Sequence, residues 1–437
     1  MTPTRVHPAG RTASPSTARA INDRLALRLL QTEGPLTAGQ LKTLTGLSRP
    51  TVADLVERLQ GAGLISVVGE AGAERRGPNA RLYGIVADRA HLAGVDVRRH
   101  GVTVSVADLL GRPLAEASLP IDPDADATRA VGSAVALLER TAEQAGTAAL
   151  HTIGVGAPGL VDPATGALRP TGALPAWHGE LVAELRRKLG VPVLLENEVN
   201  LAAVAEQRGG AAHDRDTFVL LWLGHGVGAA VVLDGRLRRG ASGGTGELGF
   251  LPVPGTSGPP SATGCDGGFH ALAASHAVCA LAREHGLGAW TDSAGADGTD
   301  GAEGSRGTGA ERAPSTVGEP GELPAVDDAS AAEAAMRYAL AAGERGEAFL
   351  DAVADRIALG AAAVTAVLDP GCIVLGGETG HAGGDALAGR VAERLARLSP
   401  LPTDIRPATA GGTAVLRGAV LTAMDAAQDA LFTPTGN

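Results

Sequence analysis

A short segment near the start of the chain combines side chains that suit contacts with DNA. Ser48 is followed by Arg49, Pro50 and Thr51 at the predicted beginning of a helix, on which Arg58 also faces solvent. Arginine can donate two hydrogen bonds to a guanine, and threonine can meet a thymine methyl group or a phosphate. Because the N-terminal end of such a helix enters the major groove, these five residues are candidate DNA contacts.

A second basic element follows this helix. Residues 64–68 and 81–86 have the composition of two strands, and the loop between them contains Arg75 and Arg76. Paired arginines on such a loop suit phosphates or a narrow minor groove. The pattern predicts a wing whose two arginines contact DNA.

Local signals place the elements that must position these side chains. Apolar spacing predicts a first helix from Ile21. Its buried stripe is predicted to consist of Ile21, Leu25, Leu27, Leu29 and Leu30. Thr37 and Gln40 form the capping-box pattern of a second helix, and Gly46 permits the left-handed turn that ends it. Ser48 caps a third helix. The apolar face of that helix consists of Val52, Leu55, Val56 and Leu59.

The distribution of charge agrees with a DNA-binding head. Residues 1–86 contain eleven Lys/Arg and six Asp/Glu, a net charge of +5, whereas the remaining residues contain 26 and 42, a net charge of −16. A basic head on an acidic body fits a protein that touches phosphate with one end only. The alternative for residues 21–87 is a helical dimerisation module with solvated arginines, but the caps, turn glycine and wing together favour a winged helix-turn-helix.

Composition limits the remaining possibilities. A chain of 437 residues suggests two or three domains, and three scattered cysteines favour a reducing cytoplasm over a disulfide framework. Residues 1–20 are predicted to be a disordered tail without a secretory signal, and residues 289–325 a flexible, Gly-rich insertion. No apolar run reaches the length of about 18 residues that would span a membrane. We therefore expect a soluble, cytoplasmic protein.

From residue 88 onward, short Val/Ile/Leu strands alternate with glycine-rich turns and Ala-rich helices, which predicts an α/β body. Residues 94–116 are predicted to form two antiparallel strands, joined at His100 and Gly101 and followed by a turn. Four further motifs occur in order: GVGAPGLVD at 154–162, ENEVNLAAVAE at 196–206, GHGVG through GELGF at 224–250, and IVLGGE at 373–378.

In order and spacing, these motifs resemble the ROK family of bacterial repressors and sugar kinases. The winged head in front of them resembles the repressor branch of that family. The resemblance covers about residues 21–430, apart from the insertion. It implies that residues 88–437 form a two-lobed, actin/hexokinase-like (ribonuclease H-like) domain that binds a sugar.

The chain departs from the kinases of this family at the phosphate turn. Those kinases begin the body with D-x-G-G-T, whose glycines let the backbone approach the phosphates of ATP. Here Asp96 is followed by Val97, Arg98, Arg99 and His100. Bulky arginines at these positions prevent a close backbone approach. The second glycine cluster, at 224–228, is retained, but a tight turn between two strands explains it without ATP.

The catalytic base also differs. The resemblance places a catalytic Asp at the position of Glu198 in this sequence. The additional methylene moves the carboxylate by about a bond length, and a misplacement of that order can cost about a hundredfold in rate. Together with the altered phosphate turn, this substitution predicts that the protein is not an enzyme.

The family's zinc site is altered at every position. By resemblance, its histidine falls on Phe250 and its three cysteines fall on Ser261, Thr263 and Gly268, while Cys265 lies at a non-ligand position. None of the four replacements is a zinc ligand. We expect neither zinc nor another cofactor.

The sugar contacts are partly retained. The resemblance assigns hydroxyl contacts to Asn197, Glu198 and Glu247, and it places His270 where the family has a glutamate. An amide beside carboxylates suits the paired hydroxyls of a sugar. The alternative is that Asn197 and Glu247 only brace the cleft between the lobes.

These observations predict a ROK-type transcriptional regulator that binds double-stranded operator DNA as a homodimer or tetramer. A sugar or sugar derivative would be its effector, and repression of carbohydrate uptake or metabolism its role. Two alternatives are a sugar kinase with an added head and an effector-independent DNA-binding protein whose body only dimerises.

Overall fold

The computed structural model describes residues 15–71, 80–147, 149–169, 175, 177–261, 264, 266–287 and 328–432. By their contacts the described residues fall into two compact units. Unit 1 is drawn from residues 1–159, 170–196 and 419–437, and unit 2 from residues 160–169 and 197–418. The insertion predicted at 289–325 lies outside the described residues. None of the described helices is both long and apolar enough to cross a membrane.

The head at the start of unit 1 has the predicted winged helix-turn-helix order. Its elements are α1 Pro15–Thr32, β1 Leu36–Thr37, α2 Ala38–Thr45, α3 Arg49–Gly61, β2 Ile65–Ala71 and β3 Ala80–Ile85. The three strands form one sheet in the order β1-β3-β2. The short strand β1 is not predicted from the sequence, because two residues are too few to show the alternation of apolar and polar residues that marks a strand.

The predicted helix caps of the head are confirmed. The backbone N–H of Gln40 donates to the Thr37 hydroxyl at 3.2 Å, and the Thr37 N–H donates to the Gln40 side chain at 2.9 Å. Gly46 ends α2 with a φ of 69°, in the left-handed region. At the end of α3, the Leu64 N–H donates to the Leu59 carbonyl at 3.0 Å, which closes the helix with a second backbone turn.

The first helix differs from the prediction at both its start and its buried face. It begins at Pro15, so residues 15–20 are helical and not part of a disordered tail, and Pro is favoured in the first turn because its missing N–H has no partner there. Leu27 and Leu30 are buried as predicted, but Ile21 is 58% exposed and Leu25 is 40% exposed. These two residues precede the part of α1 that packs in the head.

The sheet of unit 1 has five strands in the order β6-β5-β4-β7-β8. They are β4 His91–Arg98, β5 Gly101–Asp108, β6 Pro113–Pro120, β7 Thr152–Ala157 and β8 Val193–Asn197, with helices α4 Ala127–Gln144 and α5 Trp177–Leu189. The predicted antiparallel hairpin of β4 and β5 is confirmed, but its turn lies one residue earlier than predicted, at Arg99 and His100, because Arg98 pairs with Gly101. Strand β7 lies parallel to β4 on its other side.

The sheet of unit 2 repeats this pattern in the order β11-β10-β9-β12-β13. Its strands are β9 Phe218–Leu223, β10 Val227–Leu233, β11 Arg236–Arg238, β12 Cys372–Gly376 and β13 Asp404–Pro407. Its helices are α6 Glu198–Gly209, α7 His270–Ala273, α8 Ser275–Glu284, α9 Asp328–Ala341, α10 Glu344–Leu368 and α11 Gly377–Leu398. Helix α12, Ala414–Phe432, begins in unit 2 and ends in unit 1.

The central strands of unit 2 are buried on both faces. Along β9, Val219 and Leu221 belong to one apolar cluster, whereas Phe218 and Leu220 belong to another. A strand covered on both sides has no polar face, which explains why the segment FVLLWL is a continuous apolar run and does not alternate.

A buried carboxylate ties two loops of unit 2 together. Glu206 on α6 is fully buried and accepts hydrogen bonds from the backbone N–H groups of Ala211 at 2.6 Å, Thr409 at 2.9 Å and Ala410 at 2.7 Å. The Thr409 hydroxyl also lies 3.2 Å from this carboxylate. Glu206 thus accepts hydrogen bonds from both loops and holds them together.

The end of α12 contacts both the head and the sheet of unit 1. Asp429 forms an ion pair with Arg24 of α1, and Gln428 donates to the Leu109 carbonyl at 2.9 Å. The amide of Gln31 on α1 lies 3.7 Å from the sulfur of Met424. Helix α12 therefore contacts both the first helix of the head and the residue that follows β5 in the five-stranded sheet of unit 1.

Candidate DNA interface and ligand site

The start of α3 presents the predicted DNA-contacting side chains to solvent. The Ser48 hydroxyl accepts from the Thr51 N–H at 3.4 Å and lies 2.7 Å from the Thr51 hydroxyl. Arg49 and Pro50 form the first turn of α3, and both are exposed. The turn is thus fixed by its own residues while the Arg49 guanidinium extends into solvent.

Arg58 has partners within the head, and its role as a DNA contact stays a prediction. Its guanidinium lies 2.5 Å from the Asp23 carboxylate on α1 and also pairs with Asp54 one turn earlier on α3. Hydrogen bonding to Asp23 raises the pKa of Arg58 above its ordinary value. Arg58 therefore braces α3 against α1. The two wing arginines, Arg75 and Arg76, lie outside the described residues.

The phosphate turn of the kinases is replaced by an ion pair in unit 1. Arg98, at the end of β4, donates through Nε to the buried Asp96 carboxylate at 2.8 Å. Burial raises the pKa of Asp96, and the neighbouring Arg98 opposes that shift. The Arg98 side chain thus occupies a position at which the kinases have a glycine, whose lack of a side chain lets a phosphate approach the backbone.

The glycine turn at 224–228 in unit 2 lies next to an acidic side chain, that of Glu378. Gly224 follows β9, and its N–H donates to the Gly226 carbonyl at 3.1 Å in the tight turn that leads to β10. A Cβ at Gly224 would collide with the Glu378 carboxylate, in the first turn of α11. An acidic group beside this turn disfavours a phosphate, because like charges repel.

Three candidate ligand residues are positioned at neighbouring parts of unit 2. The side-chain oxygen of Asn197, Oδ1, caps α6 by accepting hydrogen bonds from the Val199 and Asn200 N–H groups at 2.9 and 3.3 Å. Glu198 is the first residue of α6 and is partly buried. The Asn197 side chain therefore has a structural role through its oxygen.

Glu247 is brought toward α6 by strand β10. The Ala229 N–H donates to the Gly246 carbonyl at 2.7 Å, and a Cβ at Gly228 would lie 3.7 Å from Val199. Gly246 has a φ of 88°, and a Cβ there would overlap the Ala229 carbonyl, so only glycine fits. Desolvation raises the pKa of Glu247, although the side chain keeps exposed surface. A raised pKa suits a carboxylate that exchanges hydrogen bonds with hydroxyl groups.

His270 is joined to the Glu247 segment by backbone pairing. The Phe269 N–H donates to the Leu251 carbonyl at 2.9 Å, and Pro252 and Gly268 form an isolated bridge. Phe250, at the position of the family's zinc-binding histidine, is 41% exposed. Within the described part of the chain, no three or more His, Cys, Asp and Glu side chains are arranged to hold a metal ion. Thr263 and Cys265 lie outside it.

Solved structures share this fold. A ROK family transcriptional regulator, a homolog of the E. coli MLC protein, superposes with a TM-score of 0.70 at 21% identity and covers 95% of this chain and 98% of its own. The ROK hexokinase of Thermus thermophilus covers 78% of this chain and 99% of its own, with a TM-score of 0.57 and 27% identity. The predicted fold, a winged head followed by an actin/hexokinase-like body, is confirmed.

Curated relatives include regulators and a kinase. The E. coli K12 DNA-binding transcriptional dual regulator NagC is 27% identical over 54% of this chain, and the match spans only 58% of the relative's own length. The Bacillus subtilis xylose repressor is 24% identical over 60% of this chain and 67% of its own length. The Thermotoga maritima glucokinase is 36% identical over 30% of this chain and 42% of its own length.

Two family patterns account for most of the sequence. The MarR family pattern matches residues 21–76, which include the three helices and the first wing strand. The ROK family pattern matches residues 92–426, which include both five-stranded sheets. The chain therefore belongs to the ROK family.

Proposed function

We propose that this protein is a sugar-responsive transcriptional regulator that binds operator DNA through its head. The observation that carries the proposal is the exposed first turn of α3, which is capped by Ser48 and contains the exposed Arg49, on a chain whose body belongs to the ROK family. Ser48, Arg49, Pro50 and Thr51 are the proposed groove contacts, and the wing with Arg75 and Arg76 is a proposed phosphate contact.

The names of the relatives support repression of carbohydrate genes. NagC is a DNA-binding transcriptional dual regulator, and the Bacillus protein is a xylose repressor. We place the DNA-binding domain at residues 21–87 and the effector domain at 88–437. Because winged heads of dimers read two half-sites, we also propose a homodimer or tetramer on a palindromic operator.

We further propose that the body does not catalyse phosphoryl transfer. Arg98 is paired with Asp96 at the former phosphate turn, Glu378 lies against Gly224, and Glu198 stands at the position of the catalytic base. The ion pair and Glu378 disfavour the approach of a phosphate, and the longer Glu198 side chain displaces the carboxylate that would take the proton.

Purified protein should therefore release no sugar-dependent ADP from ATP with glucose, mannose, xylose or N-acetylglucosamine. A coupled assay of ADP, run beside an active sugar kinase, measures this. Turnover well above the rate without protein would show that the altered turn and base still work, and would support the kinase alternative.

The effector should bind through Asn197, Glu198, Glu247 and His270. We expect the correct saccharide to raise the melting temperature by mass action and to change operator affinity. Glu247→Ala should remove both responses, because it deletes the accepting carboxylate, while DNA binding without ligand remains. Glu284→Ala, which changes an exposed carboxylate of the same unit, should behave like the unmodified protein.

The effector-independent alternative is favoured by one observation, the use of the Asn197 oxygen as a helix cap. A thermal-shift screen of mono- and disaccharides, followed by operator titration with each hit, separates the two functions. If no saccharide at millimolar concentration changes either quantity, the body only dimerises.

A further inference from the structure

Three histidines lie together at one border of the candidate ligand site. His270 is the first residue of α7 and is partly buried, while His276 lies on α8 and is exposed. Their ring centroids are 5.0 Å apart, with the planes inclined by 39°. His225, in the glycine turn after β9, is within electrostatic reach of His270. We call these residues the histidine cluster.

Backbone contacts hold the histidine cluster in place. The Ser275 N–H, at the start of α8, donates to the Gly224 carbonyl at 2.9 Å and so joins the segment before His276 to the one before His225. On the other side, Phe269 is paired with Leu251, and the 3₁₀ turn Leu248–Phe250 packs against α7. The imidazoles therefore border the segment that carries Glu247.

The electrostatics of this border differ from those at α6. Burial lowers the pKa of His270, and the neighbouring His276 and His225 lower it further, while Asp266 opposes the shift. Other charged groups lie on the elements packed against α7, which are the 3₁₀ turn after Glu247, α8 and α10. Helix α8 carries Arg283 and Glu284, and α10 carries Glu344, Arg345, Glu347, Asp351, Asp355 and Arg356, of which Arg356 donates to the Leu272 carbonyl at 3.3 Å. Without a ligand His270 is thus mainly neutral at neutral pH, and a bound anion would reverse the effect of its two neighbours.

A metal does not account for the histidine cluster, because its nitrogens are not among any metal-holding group of the described residues. A hydroxyl group alone does not account for three imidazoles either. The family resemblance places a glutamate, which accepts from a hydroxyl, at the position of His270. Replacing an acceptor of negative charge by a group that can donate and become positive changes the chemistry that fits there.

We propose that His270 and His276, whose ring centroids are 5.0 Å apart, bind an acidic group, a carboxylate or a phosphate, of the sugar derivative that acts as effector. This inference rests on the proposed function and deepens it. Hydroxyl groups of the effector meet Asn197, Glu198 and Glu247, while its acidic group lies against the imidazoles.

Binding of an acid at this position is linked to protons. An anion bound beside His270 raises the pKa of that residue in the complex above its value in the free protein. The added affinity is therefore fully present below the pKa of His270 in the free protein and is lost as pH rises through its pKa in the complex. Binding near neutral pH takes up protons from solution.

Titration calorimetry of the full-length protein tests this. The ligands are glucose, galactose and N-acetylglucosamine, each beside its 1-phosphate and 6-phosphate, with glucuronate and galacturonate as the carboxylate probes. We expect one acidic derivative to bind about tenfold more tightly than its neutral parent at about pH 6, with a smaller advantage at about pH 8. Runs in two buffers of different ionisation enthalpy should show proton uptake for that ligand only.

Variants locate the effect. In the double variant His270→Gln and His276→Gln, the acidic derivative should bind no more tightly than its neutral parent, and the proton uptake should disappear. His100→Gln, which changes an exposed hairpin histidine of unit 1, is the matched control. Proton uptake by the unmodified protein keeps the test independent of any folding defect.

Two outcomes overturn different claims. If neutral sugars bind as tightly as their acids and without proton uptake, the histidine cluster is not an acid site, although sugar sensing stands. If Glu247→Gln and the double histidine variant both leave all affinities unchanged, or if no saccharide binds, the site itself is misplaced and the proposed function fails with it.

Discussion

Deletion of residues 1–87 should abolish sequence-specific DNA binding by this protein. The operator would first be selected from random duplexes with the full-length chain, and both proteins would then be titrated with it by fluorescence anisotropy. The head contains the exposed basic turn of α3, whereas the remaining residues carry a net charge near −16 and repel phosphate. We expect affinity to fall by about a thousandfold or more, to the level of non-specific binding or below it.

A point substitution tests the same interface without removing α1, which contacts α12. Arg49→Ala should weaken operator binding by about 1–3 kcal/mol, mostly through one base position, if Arg49 reads a base edge. Arg28→Ala, an exposed arginine on α1, should cost much less and affect all sequences alike. Equal binding by the chain lacking residues 1–87 would show that DNA is bound elsewhere.

Glu206→Ala should be the most destabilising single change in unit 2. It would leave three backbone N–H groups and the Thr409 hydroxyl without their acceptor, which is the fully buried group of these contacts. Each such loss costs about 1–3 kcal/mol, so we expect the free energy of unfolding to fall by about 3 kcal/mol or more. Urea unfolding followed by circular dichroism measures the change.

The matched variants of this experiment separate charge from hydrogen bonding. Glu206→Gln keeps one acceptor oxygen but turns an NH₂ group toward a backbone donor, so its loss should be smaller than that of Glu206→Ala. Glu393→Ala, at an exposed position of α11, should change stability by less than about 0.5 kcal/mol. A loss of similar size at both positions would mean that Glu206 does not fix the two loops.

The parts of the head that depend on neighbouring residues could be predicted from the sequence. Thr37, Gln40, Gly46 and Ser48 act within three or four positions of their partners, so their spacing alone defines the caps. The buried stripe of α1 could not be predicted completely, because periodicity identifies an apolar face but not the length over which a partner covers it. Ile21 is exposed for that reason.

The parts of the two sites that could not be predicted depend on contacts between residues that are distant in the sequence. The spacing of residues in the sequence does not show that Asp23 on α1 forms an ion pair with Arg58 on α3. Both are polar residues, which sequence analysis assigns to the solvent-exposed faces of their helices. The histidine cluster is a similar case, since the hydrogen bond from the Ser275 N–H to the Gly224 carbonyl joins segments that are about fifty residues apart in the sequence. Glu247 and Asn197 could be selected by resemblance, but the use of the Asn197 oxygen as a cap required the structure.

The closed ends of α3 have a thermodynamic consequence for DNA recognition. The Ser48 side chain accepts a hydrogen bond from the first turn of α3, and the Leu64 N–H donates to the Leu59 carbonyl at its end. The helix is therefore fully formed in the protein without DNA. Docking then requires no disorder-to-order transition of α3, and the heat-capacity change on binding should reflect the surface buried at the groove alone. The association rate would likewise be governed by charge attraction and orientation, without a folding step to slow it.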